Sequence, residues 1–344
     1  MFIYLFPLFL YLLSFPLLKK SKQLFYIFIL SIFALLPAFR QNIGGTDYFI
    51  YEQAYYNQDL KFEPLYNITS YIFYTLGFNF NGFLCIITLV CFIILIHSIN
   101  KNSLFFYLAF FIYLGKLYIF YDFVILRQFL AMPFIWLSLS HLRDNQIKKF
   151  FQYWLIGFLF HYSAIFILPI YFLHNKKVST RTMITTLILG VLMGVIFIRF
   201  LQILCEHIPY LSFRLNTYLE KNSGANLFNF VETILIMGSC LFYRNQLNSI
   251  YKHVDFYLNI LWFSSLLLFV FSSLEDIKRV RDYFILSYFM ILPLFPLIHK
   301  KTYIKICIYS IYIFYFTLLY IRSFLLFDTT TNIGKLIPYK TFLF

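Results

Sequence analysis

The chain has 344 residues, of which 61% are hydrophobic and 24% aromatic while only 12% are charged. A soluble domain of this length carries about twice that charged fraction, so a large water-soluble core is excluded. The formal net charge of +14 does not bring in nucleic acid, because the Lys and Arg residues sit in short clusters between apolar blocks, where they read as topology signals and as contacts to anionic lipid headgroups.

The apolar blocks run to about 17–25 residues, the length that crosses a hydrocarbon layer about 30 Å thick. The first, MFIYLFPLFLYLLSFPLLKK, lacks the basic start and small-residue cleavage site of a secretion signal and is expected to be a membrane helix. Spans are expected at about 2–18, 23–39, 80–99, 103–121, 123–142, 182–204, 226–243, 254–274, 282–298 and 302–325. The stretch 64–79, apolar but short and dotted with Asn, Thr and Ser, reads as an interfacial or re-entrant helix. Cys85, Cys91, Cys205, Cys240 and Cys307 form no metal-binding spacing and read as small apolar side chains.

The block 149–173 decides the topology. As one crossing it would put the basic loops 143–149 and 176–181 on opposite faces, together with Arg244, Lys252, Lys300, Lys301 and Lys305. As two half-length helices that enter and return, it keeps all of these with Lys19, Lys20, Lys22 and Lys101 on one cytoplasmic side. A break at His161, Tyr162 and Ser163 suits the hairpin, since broken backbone at membrane depth is tolerated where protein or a watery cavity surrounds it. The outer side then holds the loops at about 40–63, 205–225 and 275–281. The expected architecture is a single all-α polytopic membrane domain over 1–344, with about 10–11 transmembrane helices plus a re-entrant or half-helix hairpin.

Several polar residues stand out against this background. Arg127 lies about one turn inside a span, with Asp122 ahead of it as an expected helix cap. It suits a phosphate or pyrophosphate, because its charge is permanent and its donors form a fork. The plainer alternatives are snorkelling and a structural ion pair. His161, at the expected break, is placed either to satisfy interrupted backbone or to donate to a phosphate and move protons near neutral pH. Lys278, Arg279 and Arg281 run against the positive-inside trend, which points to an anion there or to headgroup anchoring. In the first outer loop, Gly44 to Tyr48 marks a turn. Asp47, Glu52, Asp59 and Glu63 are its carboxylates: solvated loop acids, or a general base for a sugar hydroxyl.

Six segments in order, GGTDYFIYEQAY, FEPLYNITSYIFYTLGFNF, LRQFLA, FHYSAIFILPIYFL, RVRDYF and IPYKTFLF, give a chain that resembles the EpsG family of Wzy-type polysaccharide polymerases along nearly its whole length. The resemblance places weight on Asp47, Glu63, Arg127, Gln128, His161 and Ser163. Its arginine ahead of a Tyr-Phe pair maps better onto Arg279 than Arg281, and the additional Arg281 departs from the pattern. Asp47, Arg127, His161 and Arg279 are therefore the expected catalytic residues. Glu63, Gln128, Ser163, Arg281, Tyr283 and Tyr48 are the expected substrate-binding ones.

What the resemblance implies is a GT-C-like glycosyl transfer needing neither metal nor cofactor, on the outer face of the bacterial cytoplasmic membrane. The donor would be a glycan on undecaprenyl pyrophosphate and the acceptor a single lipid-linked repeat unit, with a flippase and a chain-length regulator as partners. Charge developing on a diphosphate leaving group suits preorganised arginines, and Asp47, Glu63 or His161 are the groups present to serve as base. A flippase or transporter of the same lipid-linked sugar would also want cations within the membrane, but it would line a path to both faces, often in repeated halves. No repeat is visible. Another membrane transferase, such as an O-antigen ligase, is the remaining rival.

Overall fold

The computed structural model describes residues 1–207, 227–272 and 277–343. Most of the expected outer loop 205–225, the beginning of 275–281 and the side chains of Cys205 and Lys278 lie outside the described residues. Those that are described form an all-helical membrane protein without a strand. Among the described residues the sole pairing of strand type is an isolated antiparallel bridge between Arg40 and Thr341. Four helices among the described residues, Phe80–Asn102, Phe106–Phe123, Arg279–Ile298 and Thr302–Thr330, are long and apolar enough to cross a membrane. A fifth is counted if Leu227–Phe242 and Arg244–Ile250, bent by 70° at Tyr243, make one span.

Some of the other expected spans are interrupted or bent, whereas Leu126–Arg143 and Thr180–His207 are unbroken helices and Val254–Val270 is a continuous apolar helix of 17 residues. Phe2–Leu13 and Phe15–Lys20 are separated at Ser14, whose hydroxyl donates back to the Tyr11 carbonyl at 2.6 Å. The segment Lys22–Ala38 carries a π-helical turn at Leu30–Ala34. Residues 149–173 break at His161: the helix Ile147–Phe160 stops there in extended backbone, and a 3₁₀ turn, Tyr162–Ile167, follows. Within the turn the chain doubles back, because Trp154 Nε1 donates to the Ala164 carbonyl at 3.0 Å.

The chain gathers into two compact units, residues 1–165 with 302–344, and residues 166–301. In the first unit the aromatic richness of the sequence has a specific use. Buried phenols pack as hydrophobes and direct their hydroxyls at backbone carbonyls that would otherwise face hydrocarbon. Tyr4 donates to Leu336, Tyr11 to Tyr107, Tyr118 to Phe33 and Tyr320 to Tyr4, at 2.6 to 2.9 Å. Asp122 is not a helix cap. It lies in Ile119–Phe123, fully buried, and accepts from Tyr113. The arginine-bearing helix begins later, at Leu126, because the backbone breaks at Val124 and Ile125.

Three helices of this unit set the frame of the site. Phe80–Asn102 and Leu126–Arg143 run parallel: Cys91 meets the Phe129 carbonyl, and further along Asn102 donates to that of Trp136. Leu126–Arg143 then turns tightly into Ile147–Phe160. Asn145 takes left-handed backbone, φ 57°, and the amides of Asn145 and Gln146 donate to the carbonyls of Leu142 and His141, a Schellman closure. Gly157 lets the second helix lie against the first, since a Cβ there would come within 2.7 Å of Ile135 Cδ1. At the turn end, Arg143 reaches the Lys101 carbonyl and Lys101 reaches His141, so two of the expected cytoplasmic basic loops share one end. Arg127 stands at the opposite end, about 24 Å away along the helix axis.

The expected outer loop 40–63 is mainly helix, Gly45–Asn57, whose Tyr48, Tyr51, Ala54 and Tyr55 are buried. Its start is held by the C-terminal segment. The Gly334 carbonyl accepts from both Gly44 and Gly45 at 3.0 Å, and the Asp328 carboxylate accepts from the amides of Leu336 and Ile337. Gly334 has φ +65°, and a Cβ there would sit 2.6 Å from the Gly45 nitrogen. The helix Pro64–Thr75 has 12 residues, about 18 Å, too short for a full crossing, as its sequence predicts.

In the second unit Val254–Val270 is central and largely buried. Asn259 donates to the carbonyls of Leu173 and Lys176, and the buried Arg244 bonds Asp255 and Thr180.

Candidate functional site

Glu63 is the centre of the site, and local sequence puts it there. Pro64 fits the first position of the following helix, which leaves Glu63 as the residue ahead of it in extended backbone, φ −64° and ψ 151°. Its carboxylate does not cap that helix; it turns to three other groups. Oε2 receives Nη1 of Arg127, and Oε1 lies 2.7 Å from Nδ1 of His161 and 3.3 Å from the Tyr162 amide. The Glu63 side chain is 4% exposed, those of Arg127 and His161 25% and 22%. The carboxylate is thus enclosed, while the cation and the imidazole reach the surface of the site.

Each partner is placed by a break in its own element. Arg127 sits in the first turn of Leu126–Arg143, where the positive end of the helix opposes a cation and Glu63 offsets it. His161 has φ −157° and ψ 116°, the extended residue between a helix and a 3₁₀ turn, and this frees its ring from the helical face. Burial would push the Glu63 carboxyl up, but the hydrogen bond from His161 and the charge of Arg127 outweigh it and hold the pKa down at about 2. Glu63 is therefore a fixed anion at neutral pH and a weak proton acceptor.

Two aromatic side chains complete the cluster. Arg127 Nε donates to the Tyr51 hydroxyl at 3.3 Å, and its guanidinium carbon lies 4.5 Å from the centre of the Phe62 ring. Burial pushes the Tyr51 phenol up, with the Arg127 charge acting in the opposite sense, so Tyr51 is a neutral hydroxyl at physiological pH. Neither residue was singled out by the sequence. The available signal was position: Tyr51 is one helical turn past Asp47, and Phe62 directly precedes Glu63.

Of the ten expected site residues, the structure brings Glu63, Arg127 and His161 into direct contact. Asp47 lies in the first turn of Gly45–Asn57 and bears electrostatically on Tyr51. Gln128 is fully buried beside Arg127 in sequence, Ser163 follows in the 3₁₀ turn, and Tyr48 donates to Asn81 at 2.7 Å. Arg279, Arg281 and Tyr283 belong to the second unit. There Arg279 is exposed, Arg281 Nη2 donates to Thr233 at 3.0 Å, and Tyr283 is fully buried. Among the described residues no three of His, Cys, Asp and Glu gather into a metal-binding group.

An all-helical polytopic membrane protein, with a carboxylate that joins a guanidinium to an imidazole at one end of its helices, is the class that fold and site define. Across residues 2–341 the sequence matches the EpsG family, and the chain belongs to that family. Membership supports a role of the polysaccharide-polymerase type. No curated relative and no solved structure matches the chain.

Proposed function

We propose that this protein polymerises lipid-linked oligosaccharide repeat units on the outer face of the bacterial cytoplasmic membrane. The observation that carries the reading is Glu63 holding Arg127 and His161 on its two oxygens. With Nδ1 turned to Glu63, His161 has Nε2 left to take up a proton. Arg127 presents Nη2, which bonds no protein group among the described residues. One group takes a proton, the other meets an anion, and transfer from a lipid diphosphate requires both.

In the proposed reaction the acceptor hydroxyl attacks the anomeric carbon of the donor glycan, and its proton passes to His161 Nε2. The bond between that carbon and the diphosphate oxygen breaks, and the electron pair leaves with undecaprenyl pyrophosphate, whose developing charge Arg127 stabilises. Glu63 stabilises the imidazolium and fixes the tautomer, as the acid of a hydrolase triad does. Asp47, one turn before Tyr51, and Arg279 of the second unit are proposed to assist, with Gln128, Ser163, Tyr48, Arg281 and Tyr283 as supporting binding groups. A flippase would supply the repeat unit and a chain-length regulator would limit the product. The sidedness rests on Lys101 and Arg143 sharing the end opposite the site, which the positive-inside rule assigns to the cytoplasm.

The test is glycan profiling of cells that lack the protein and have no second polymerase. They should display a surface glycan of one repeat, or accumulate one-repeat lipid diphosphate on the outer leaflet. A full-length ladder overturns the reading. Single repeats trapped on the inner leaflet would mark a flippase instead.

A further inference from the structure

Arg127 contacts Glu63 through one nitrogen only, Nη1. A guanidinium held at one corner can swing about that contact, and swinging would carry its remaining N–H groups away from any fixed anion. Two other contacts prevent this. The Tyr51 hydroxyl accepts from Nε at 3.3 Å, which fixes a second corner. The Phe62 ring lies 4.5 Å from the guanidinium carbon and the Tyr51 ring 5.7 Å from it, within the range where a ring face attracts and orients a planar cation. The rings are themselves immobilised: Tyr51, Phe62 and the buried Tyr66 form a closed triangle with centroids 5.3 to 5.6 Å apart.

We infer that Tyr51 and Phe62 are positioning residues that fix the plane of the Arg127 guanidinium and aim its third corner, Nη2, at the diphosphate. The inference rests on the proposed anion-binding role of Arg127. The Tyr51 hydroxyl gives the clamp a purpose beyond packing, because phenylalanine would fill the same space without meeting Nε. Phe62 contributes its π face, which leucine lacks and tyrosine retains. A planar cation gains from both contacts; an ammonium at this position has no plane to set.

The experiment is calorimetric titration of inorganic pyrophosphate into the full-length protein in nanodiscs, with unfolding temperature recorded for each variant. Tyr51→Phe and Phe62→Leu should each weaken binding by roughly three- to thirtyfold, while Phe62→Tyr restores near-native affinity. In an Arg127→Lys background, Tyr51→Phe should have no further effect, a non-additivity that a merely structural role does not produce. If Phe62→Leu lowers the unfolding temperature, Tyr51→Phe, which removes a single oxygen, decides the matter. Native affinity in Tyr51→Phe and Phe62→Leu, with binding lost in Arg127→Ala, overturns the clamp and leaves the anion site standing. Native affinity in Arg127→Ala overturns the anion site and the clamp with it.

Discussion

His161 and Glu63 are 98 residues apart in the chain and 2.7 Å apart in space, Nδ1 against Oε1. The contact ties the break in 149–173 to the start of the Pro64–Thr75 helix, and it leaves Nε2 as the ring nitrogen that Glu63 does not engage. His161→Ala should reduce polymerisation by about 10²–10⁴-fold, the usual range for a general base, at unchanged membrane abundance. Added imidazole should restore part of the rate. His161→Gln, which can still donate to Glu63 but accepts no proton, should be as inactive as His161→Ala. Near-native turnover by His161→Gln would remove the base from the mechanism.

Arg127 meets three partners in three directions, Glu63, Tyr51 and the Phe62 ring. A lysine ammonium cannot reproduce that arrangement and still present a fork. Arg127→Lys should therefore lose nearly as much activity as Arg127→Ala, measured by product ladders at matched abundance. A full ladder from Arg127→Lys would reduce the role of Arg127 to its charge.

The sequence carried the class of the fold plainly, because composition and block length are direct consequences of a hydrocarbon solvent. The break at His161 was also legible, from the conflict between a single crossing and the basic loops around it. The contact set of Glu63 was not, since its partners come from three distant segments and no local pattern encodes their meeting. Nor was the Gly45–Asn57 helix: its polar residues read as a loop, although Tyr48, Tyr51 and Tyr55 bury themselves on one face. Asp122 misled for the opposite reason. Its position ahead of a helix suggests a cap, and only the observed break at Val124 and Ile125 shows that it faces Tyr113 instead.

The Glu63 carboxyl, held at about 2 against an ordinary 4.5, makes a pH-dependent contribution to stability. A depressed carboxylate stabilises the fold fully above its unfolded value and loses that contribution as pH falls towards the folded one. The stability of the wild type relative to Glu63→Gln should be greater above pH 5 than below pH 2 by on the order of 3 kcal/mol. It should shrink progressively between pH 4.5 and about 2. Unfolding curves of both proteins in detergent across that range check the sign. An advantage that grows on acidification would contradict it.

Two glycines should respond in opposite ways to alanine. Gly334 combines φ +65° with backbone atoms of Gly45 within 3 Å of a new Cβ, so Gly334→Ala should cost more than about 1 kcal/mol and lower the unfolding temperature. Gly238 lies within Leu227–Phe242 with nothing near its Cβ position. Gly238→Ala should be neutral or stabilising by about 0.5–1 kcal/mol. Equal responses would mean that the C-terminal segment does not hold the start of Gly45–Asn57 as described.

The most direct measurement uses the purified protein in liposomes, supplied only with one lipid-diphosphate-linked repeat unit of the cell that makes it. The predicted result is a ladder of lengthened glycans with stoichiometric release of free lipid diphosphate, both absent with Arg127→Ala and His161→Ala. Repeat units that remain single on their lipid, whether or not they change leaflet, would contradict polymerisation by this chain.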